Sequence, residues 1–249
     1  MADATEATDA TEALDAFLTR RTGWTWADVR RAIHSRRVSV GGVVCKKYHR
    51  ALAAADEVRL DGAAVADGPD FGTLICHKPG GVACSHAEGD RPLIYDLVPA
   101  SWRHPNLQSA GRLDRDTTGL IILTINGRLQ ISLTAPARAL WKRYRIRFTG
   151  TLLGDAPARV ATGLPLGERE RACLPARLTL AGSDGSGCGV ATLELCEGRH
   201  HQVKRMVRAL GGQVVGLHRD RIGELELPGD LAPGMMRALS AEERLRLFA

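Results

Sequence analysis

At Gly111-Arg-Leu-Asp-Arg-Asp-Thr-Thr-Gly-Leu120 a polar loop runs directly into a short apolar strand, Leu120–Thr124. The glycines at both ends permit tight backbone paths, and two threonines beside Asp114 and Asp116 can donate hydrogen bonds to either carboxylate. Taken alone, the segment is typical of an Asx-type turn that leads into a strand. A carboxylate pair for glycoside hydrolysis is a weaker interpretation, because residues two apart need not face each other. Any chemistry at Asp114 must therefore be inferred from the rest of the chain.

A second informative segment is the predicted strand that begins at Lys142-Arg-Tyr-Arg-Ile-Arg147. Alternation along a strand points Tyr144, Ile146 and Phe148 to one side and the intervening arginines to the other. A tyrosine on the inner side is usually part of the core. It could also stack on a nucleic-acid base or hold a carboxylate through its hydroxyl group.

The third segment, Glu197-Gly-Arg-His-His-Gln-Val-Lys-Arg-Met206, ends a strand and starts a helix predicted over His201–Leu210. Helix N-termini attract phosphate, and the segment places there Arg199, His200, His201, Gln202, Lys204 and Arg205. The adjacent histidines suggest a metal ligand pair. Neither Cys nor a carboxylate follows at ligand spacing, however, so no metal site is predicted.

The N-terminal part of the chain is polarised in charge. Residues 1–12 are small, polar and acidic, which is typical of a disordered tail, whereas residues 20–50 carry nine Lys and Arg against one acid. Two short helices, the second opened by Thr25 with Asp28, precede a hairpin turning at Gly-Gly and a final strand ending at Leu60. Such a module suits phosphate binding, with Arg30, Arg31 and Arg37 as candidates, although a solvated surface is an equal alternative.

Residues 61–70 have linker composition and mark the predicted domain boundary. Beyond them, strands are predicted at Thr73–His77, Leu120–Thr124, Arg143–Thr149 and Val190–Cys196. Helical stretches interrupt these strands without regular alternation. The sequence therefore predicts an α+β fold with a mixed, largely antiparallel sheet.

Composition narrows the class of protein. The 249 residues carry a net charge of +6, which favours a polyanionic partner, and only 4% are aromatic. Six scattered cysteines without a C-x-x-C pair suit a reducing cytosol, and no apolar run is long enough to span a bilayer, so a cytoplasmic protein is expected. The known phosphate-loop, dinucleotide and zinc-protease motifs are missing, and no cofactor is expected.

In their order along the chain, these segments resemble the pseudouridine synthases, and in particular the type that modifies small-subunit (16S) ribosomal RNA. The resemblance includes Cys76-His-Lys-Pro-Gly-Gly-Val-Ala-Cys-Ser85 and continues through Leu217-His-Arg-Asp-Arg-Ile-Gly223 and Asp230-Leu-Ala-Pro-Gly234. It implies an S4-like RNA-binding domain at residues 13–60. It also implies a catalytic domain at 71–249, with a mixed, mainly antiparallel sheet and a central cleft.

The resemblance also implies site roles. Asp114 matches the catalytic aspartate, which would attack uracil C6 or ribose C1′ of a flipped uridine. Tyr144 matches the tyrosine that packs against the base, and Lys204 the basic partner of the aspartate. Arg112 would displace or replace the flipped nucleotide. The implied reaction is an isomerisation without cofactor or metal. The expected partner is ribosomal RNA or an assembling small subunit, with no membrane association and a monomeric enzyme.

Three alternatives remain open from the sequence. The first is a large-subunit (23S) target, since relatives of that type share most of the catalytic segments. A non-catalytic RNA-binding assembly factor is disfavoured, because it would be free to lose Asp114, Tyr144 or Lys204. A carboxylate-pair hydrolase would make no use of the basic segments. One departure from the family pattern is Ile125-Asn-Gly127, where two polar residues are expected before the glycine.

Overall fold

The computed structural model describes residues 12–53, 55–65, 72–168 and 170–248. The chain folds into two units. The first contains the chain up to Thr73 together with Pro99–Gln108 and Thr124–Leu129. The second contains Leu74–Val98, Ser109–Leu123 and everything from Gln130 onward. The predicted acidic tail, 1–12, lies outside the described residues except for Glu12.

The first unit packs two helices against short strands. Its elements are β1 (Glu12–Ala13), α1 (Leu14–Thr22), α2 (Trp26–His34), β2 (Val38–Val40), β3 (Val43–Val44), β4 (Ala51–Leu52), β5 (Val58–Leu60) and β6 (Ala63–Ala64). The predicted helix start is confirmed, because the Thr25 side chain accepts a hydrogen bond from the backbone N–H of Asp28 at 3.2 Å. The core of this unit includes Leu14, Val29 and Ile33, which are each at most 1% exposed.

The small sheet of this unit corrects one predicted boundary. Its strand order is β3-β2-β5-β6, and the predicted Gly-Gly hairpin forms between β2 and β3. The strand ending at Leu60 is not the last one, because Asp61 and Gly62 turn the chain into β6. The first residues of the predicted 61–70 linker thus belong to the sheet, since a glycine-containing turn followed by alanines can pair as well as connect. Residues 66–71 lie outside the described part of the chain.

The second unit is built on a large sheet. The remaining strands are β7 (Thr73–Lys78), β8 (Gln108–Ser109), β9 (Thr118–Thr124), β10 (Lys142–Gly150), β11 (Arg177–Ser183), β12 (Gly189–Leu195), β13 (Gly212–Ile222), β14 (Leu225–Glu226) and β15 (Met236–Ala238). The main path of the sheet is β11-β12-β10-β13-β9-β7-β15. Strands β10, β11, β12 and β13 pair antiparallel, as do β7 and β15, whereas β9 and β13 run parallel.

Further helices follow along the described chain. They are α3 (Gly127–Thr134), α4 (Ala156–Thr162), α5 (Gln202–Ala209) and α6 (Ala241–Arg246), with 3-10 turns at Glu88–Asp90, Ile94–Leu97, Ala100–Trp102 and Pro136–Arg138. The predicted α+β class with a mixed, mainly antiparallel sheet is confirmed. Among the described residues, no helix is both long and apolar enough to cross a membrane.

The predicted alternation along β10 is confirmed. Tyr144, Ile146 and Phe148 are buried, whereas Arg145 and Arg147 are exposed. The sequence pattern does not predict β13, the longest strand of the sheet. Its sequence contains two glycines and three charged residues, which hide the apolar signal of a buried strand. Its central pairings with β10 and β9 place Arg219 and Asp220 in the interior.

Candidate active site

A cleft of about 430 Å³ lies in the second unit, a volume typical of small-ligand sites. It is lined by the loop that carries Asp114, by the first residues of β10, by the turn between β12 and α5, and by β13. Among its lining residues are Arg112, Asp114, Lys142, Tyr144, Arg199, His201, Gln202, Lys204 and Arg219. The fold thus brings the three predicted catalytic residues to one place, together with four of the residues predicted to bind RNA.

A buried lysine binds the backbone of the loop that carries Asp114. Lys78, at the end of β7, is 0% exposed. Its ammonium donates to the backbone carbonyls of Pro79 at 3.0 Å, Arg115 at 3.1 Å and Thr117 at 2.7 Å. The last two bonds fix the backbone directly after Asp114. Sequence reasoning assigned no role to Lys78, and the signal that could have found it is a lysine at the end of an otherwise apolar strand.

A turn precedes β9, as predicted, but the bond that closes it joins backbone atoms and not the Asx side chain. The backbone N–H of Thr117 donates to the carbonyl of Asp114 at 3.0 Å. Gly119 has φ +111°, and a Cβ there would lie 2.1 Å from the carbonyl oxygen of Arg219 on β13. Only glycine allows this approach of two backbones. The turn therefore holds the backbone around Asp114 in one conformation.

Asp114 faces the ammonium of Lys204 and the imidazole of His201. Its Oδ2 lies 3.3 Å from Lys204 Nζ, and its Oδ1 lies 3.6 Å from His201 Nε2. The carboxylate is 30% exposed, so the cleft still reaches it. The predicted contact between Asp114 and Lys204 is present. It joins the loop before β9 to helix α5, which is distant in sequence.

Lys204 is shared with a second carboxylate. Its ammonium donates to Asp116 Oδ1 at 2.6 Å, a shorter contact than the one to Asp114. Burial lowers the pKa of Lys204, but the hydrogen bond to Asp116 and the charge of Asp114 outweigh it and raise the pKa overall. The hydrogen bond from Lys204 lowers the pKa of Asp116. Lys204 is therefore a cation at neutral pH that bridges both acids.

Tyr144 forms part of the wall of the cleft and is 8% exposed. It is the register partner of Arg219 across the antiparallel pair β10–β13. The Arg219 guanidinium lies 5.9 Å from the tyrosine ring centre, and its Nη1 donates to the hydroxyl at 3.4 Å. Sequence reasoning missed Arg219, because nothing in the sequence placed its strand beside Tyr144.

The turn before α5 uses several predicted RNA-binding residues for internal bonds. Arg199 donates to Glu197 and to the carbonyls of Arg171 and Ala172. Gln202, 5% exposed, donates to Glu197 and accepts from the Arg199 backbone N–H. These bonds shape the turn, so a positioning role is visible for both residues.

The other residues predicted to bind RNA in this region differ in how exposed their side chains are. Arg205 donates to Glu170 at 2.5 Å, whereas Arg112 is exposed at the cleft. His201 is 45% exposed and adopts φ +50° at the helix N-cap, with its ring stacked on His200 at 3.8 Å between centres. In the described ranges, no group of three or more His, Cys, Asp or Glu could hold a metal ion.

The candidate arginines of the first unit occupy different surroundings. Arg30 stacks between Trp26 and Tyr48, with its guanidinium 4.5 Å and 4.6 Å from the ring centres. Arg31 pairs with Asp28 at 3.1 Å, and Arg37 donates two hydrogen bonds to Asp61. Arg31 and Arg37 are exposed and Arg30 is half-buried. Their binding of RNA remains a prediction.

Comparison with known families assigns the class of protein to which this fold and cleft belong. Residues 72–209 match the family described as RNA pseudouridylate synthase. The chain belongs to this family, which confirms the resemblance and the predicted enzyme class.

Individual relatives show which members of the family the chain is similar to. The chain is 37% identical to ribosomal small subunit pseudouridine synthase A of Pasteurella multocida (strain Pm70), over 92% of this chain and 97% of the relative. It is 35% identical to the protein of the same name in Escherichia coli (strain K12), again over 92% and 97%. A solved structure described as a crystal structure of pseudouridylate synthase superimposes with a TM-score of 0.64 at 32% identity, covering 94% of this chain and 99% of that one.

Proposed function

We propose that this protein converts one uridine of small-subunit (16S) ribosomal RNA to pseudouridine, with Asp114 as the nucleophile. The observation that carries the proposal is the carboxylate of Asp114 in the cleft, 3.3 Å from Lys204, with Tyr144 in the wall. The small-subunit target is supported by relatives of that name that align over nearly their whole length.

The substrate must enter the cleft as a single flipped nucleotide. A uridine inside structured RNA is stacked and paired, so its glycosidic bond is not reachable until the base leaves the stack. Arg112 is exposed at the cleft, and we propose that it occupies the space that the base vacates. Tyr144, buried in the wall of the cleft, would then pack against the uracil.

The chemistry exchanges one bond for another. Asp114 forms a bond either to C1′ as the N1–C1′ bond breaks, or to C6 before that bond breaks. The uracil turns, C5 bonds to C1′, and the carboxylate leaves. The proton on C5 is then lost while N1 gains one, so the product has the composition of the substrate and no redox step occurs. Both routes use the same carboxylate.

Lys204 is proposed to hold the nucleophile in place, with its ammonium 3.3 Å from one oxygen of Asp114. The ring of His201 lies 3.6 Å from the other oxygen. Arg199, Gln202 and Arg205 are proposed to support the same wall, with phosphate contact limited to the parts of their side chains that internal bonds leave free.

The first unit is proposed to be an S4-like domain that binds the RNA backbone independently of base sequence. Exposed Arg31 and Arg37 and the stacked Arg30 would contact phosphates, which is where most protein–nucleic acid affinity originates. The enzyme is proposed to act as a monomer on ribosomal RNA or on an assembling small subunit, in the cytoplasm.

The decisive variant is Asp114→Asn, which keeps size and removes the charge. We expect it to abolish tritium release from [5-³H]uridine-labelled 16S RNA, while the Kd for the RNA stays near that of the wild type, because the carboxylate contacts no phosphate. Glu224→Gln, an exposed acid outside the cleft, serves as the matched control. Turnover by Asp114→Asn at the wild-type rate would refute the mechanism.

The target is tested separately in cells. Mapping of pseudouridines in ribosomal RNA from cells that lack the protein should show one modification missing from 16S RNA. A missing modification in 23S RNA would make the enzyme a large-subunit synthase. An unchanged map, together with a ribosome-assembly defect, would indicate a non-catalytic factor and overturn the proposal.

A further inference from the structure

Arg219 is a buried cation with an unused hydrogen-bond donor. Its side chain is 2% exposed and lines the cleft. Nε donates to the Leu120 carbonyl at 2.9 Å and Nη1 to the Tyr144 hydroxyl at 3.4 Å. Nη2 has no partner among the residues that the structure describes. Leaving a charged donor buried without a partner is expensive, so the position calls for a ligand.

Arg219 also lacks a counter-ion among the described residues. Within the described ranges, no carboxylate lies within salt-bridge distance of its guanidinium, although neighbouring arginines of the same sheet have one. Arg221, two residues along β13, pairs with Glu194, and Arg143 on β10 pairs with Asp220. Arg219 lines the cleft and these two arginines do not, so the arginine without a counter-ion is the one at the cleft.

A second cation reaches the same wall. Lys142, at the start of β10, lines the cleft and donates to the Leu140 carbonyl at 3.0 Å. Burial, and then the charge of Arg219, lower the pKa of Lys142 to about 8. The two positive charges therefore raise the potential at this wall, where no described carboxylate pairs with either of them.

We infer that Arg219 is a catalytic residue that donates through Nη2 to a carbonyl oxygen of the flipped uracil and stabilises the negative charge that the base acquires, with Lys142 adding to the field. This inference rests on the proposed function. The unpartnered Nη2, the contact with Tyr144 and the missing counter-ion each agree with a ligand that is neutral when it binds and becomes anionic during the reaction.

Both possible attacks produce such a charge. If Asp114 attacks C1′, the electron pair of the N1–C1′ bond leaves with the uracil, and the charge spreads over N1, O2 and O4. If Asp114 adds to C6, the electrons of the C5–C6 double bond move into the carbonyl at C4, and O4 becomes an enolate oxygen. In either case a fixed, buried donor lowers the barrier more than it strengthens binding of the neutral base.

A backbone phosphate is a less fitting occupant. Phosphates lie on the outside of the RNA, whereas Arg219 is buried beside Tyr144, which is expected to contact the base. Kinetics distinguish the two ligands. If Arg219 binds a phosphate, its mutation should weaken RNA binding. If it binds the developing charge, its mutation should lower kcat and leave the Kd unchanged.

The test compares Arg219→Met with Arg221→Met in single-turnover assays on 16S RNA, alongside wild-type enzyme. We expect Arg219→Met to lower the rate by about 10²–10³-fold, as for loss of one donor to a developing oxyanion, with the RNA Kd unchanged. Arg221→Met should retain the wild-type rate. A rate for Arg219→Met near that of the wild type, or a loss confined to RNA affinity, would overturn the inference. An inactive wild type would instead overturn the proposed function itself.

A second variant protects the test against misfolding. Arg219→Ala leaves a cavity beside Tyr144 that methylguanidinium can enter, and added methylguanidinium should restore part of the missing rate. Urea has a similar shape without the charge and should not. Equal rescue by both compounds, or by neither in a variant whose thermal unfolding matches the wild type, would show that Arg219 acts only through packing.

Discussion

Lys204 offers the most direct test of how the site is charged. The perturbation is Lys204→Met, which nearly keeps the length of the side chain on α5 and removes the ammonium that lies 3.3 Å from Asp114. At that distance the attraction between unit charges is about 1 kcal/mol in water and about 5 kcal/mol at an effective dielectric constant of about 20. Lys204 is 25% and Asp114 30% exposed, which places the pair between these limits.

We therefore expect the rate to fall by roughly 30-fold, the equivalent of about 2 kcal/mol, because Lys204 no longer holds the Asp114 carboxylate in position for attack. The assay is single-turnover tritium release at saturating enzyme, so that RNA binding does not enter the measured rate. The Kd for 16S RNA, measured in parallel, should change little, because the ammonium is occupied by two carboxylates of the same chain.

Asp116→Asn serves as the control that assigns the effect. Lys204 lies closer to Asp116 than to Asp114, so its role could be to hold Asp116 instead. The Asp116 side chain is 72% exposed, however, and such exposed pairs contribute little. We expect Asp116→Asn to remain as active as the wild type. A wild-type rate for Lys204→Met, or a slow Asp116→Asn, would refute the assignment of Lys204 to Asp114.

Two further predictions concern RNA binding and stability. Changing Arg30, Arg31 and Arg37 together to Gln should weaken RNA binding and reduce the slope of log K against log[salt] by about 0.7–0.9 for each phosphate that is no longer bound; a slope equal to that of the wild type would exclude these arginines from RNA binding. The hydrogen bond from Arg237 lowers the pKa of Glu243 to about 2 against burial, so this carboxylate stabilises the fold at pH values above its ordinary pKa of 4.5 and loses that effect as the pH falls towards 2. Urea unfolding should show Glu243→Gln less stable than the wild type by about 1 kcal/mol at pH 7, with a smaller difference as the pH approaches 2; a constant difference would contradict the assignment.

The parts of the fold that the sequence predicts are those with a local signal. The strand Thr118–Thr124 has an uninterrupted apolar run, and the helix Gln202–Ala209 has apolar residues at helical spacing. Strand β13 has neither, because long-range pairing with β10 and β9 imposes its conformation on a sequence with glycines and charges. Propensity alone does not detect a strand that its neighbours stabilise.

The residues of the site show the same distinction between local and long-range signals. Asp114, Tyr144 and Lys204 stand in segments that can be recognised one at a time, and their order along the chain indicates a shared site. Lys78 and Arg219 donate to backbone carbonyls that lie 37 to 99 residues away in sequence. A lysine at the end of an apolar strand is a visible signal, but the sequence does not show which carbonyls either side chain reaches.

The buried guanidinium of Arg219 links the long-range contacts of the fold to the mechanism. Met, an unbranched apolar side chain, would satisfy the packing at this buried position, and without a ligand a buried unpaired charge only destabilises the protein. The arginine therefore has a cost in stability that packing cannot explain. Arg219 contacts Tyr144 and lines the cleft, and its Nη2 has no partner among the described residues, so we infer that the compensating interaction is with the substrate. A site that holds a carboxylate beside Lys204 at one wall and an unneutralised cation at another is suited to a base that arrives neutral, becomes negative when its bond to the sugar breaks, and is neutral again when it leaves.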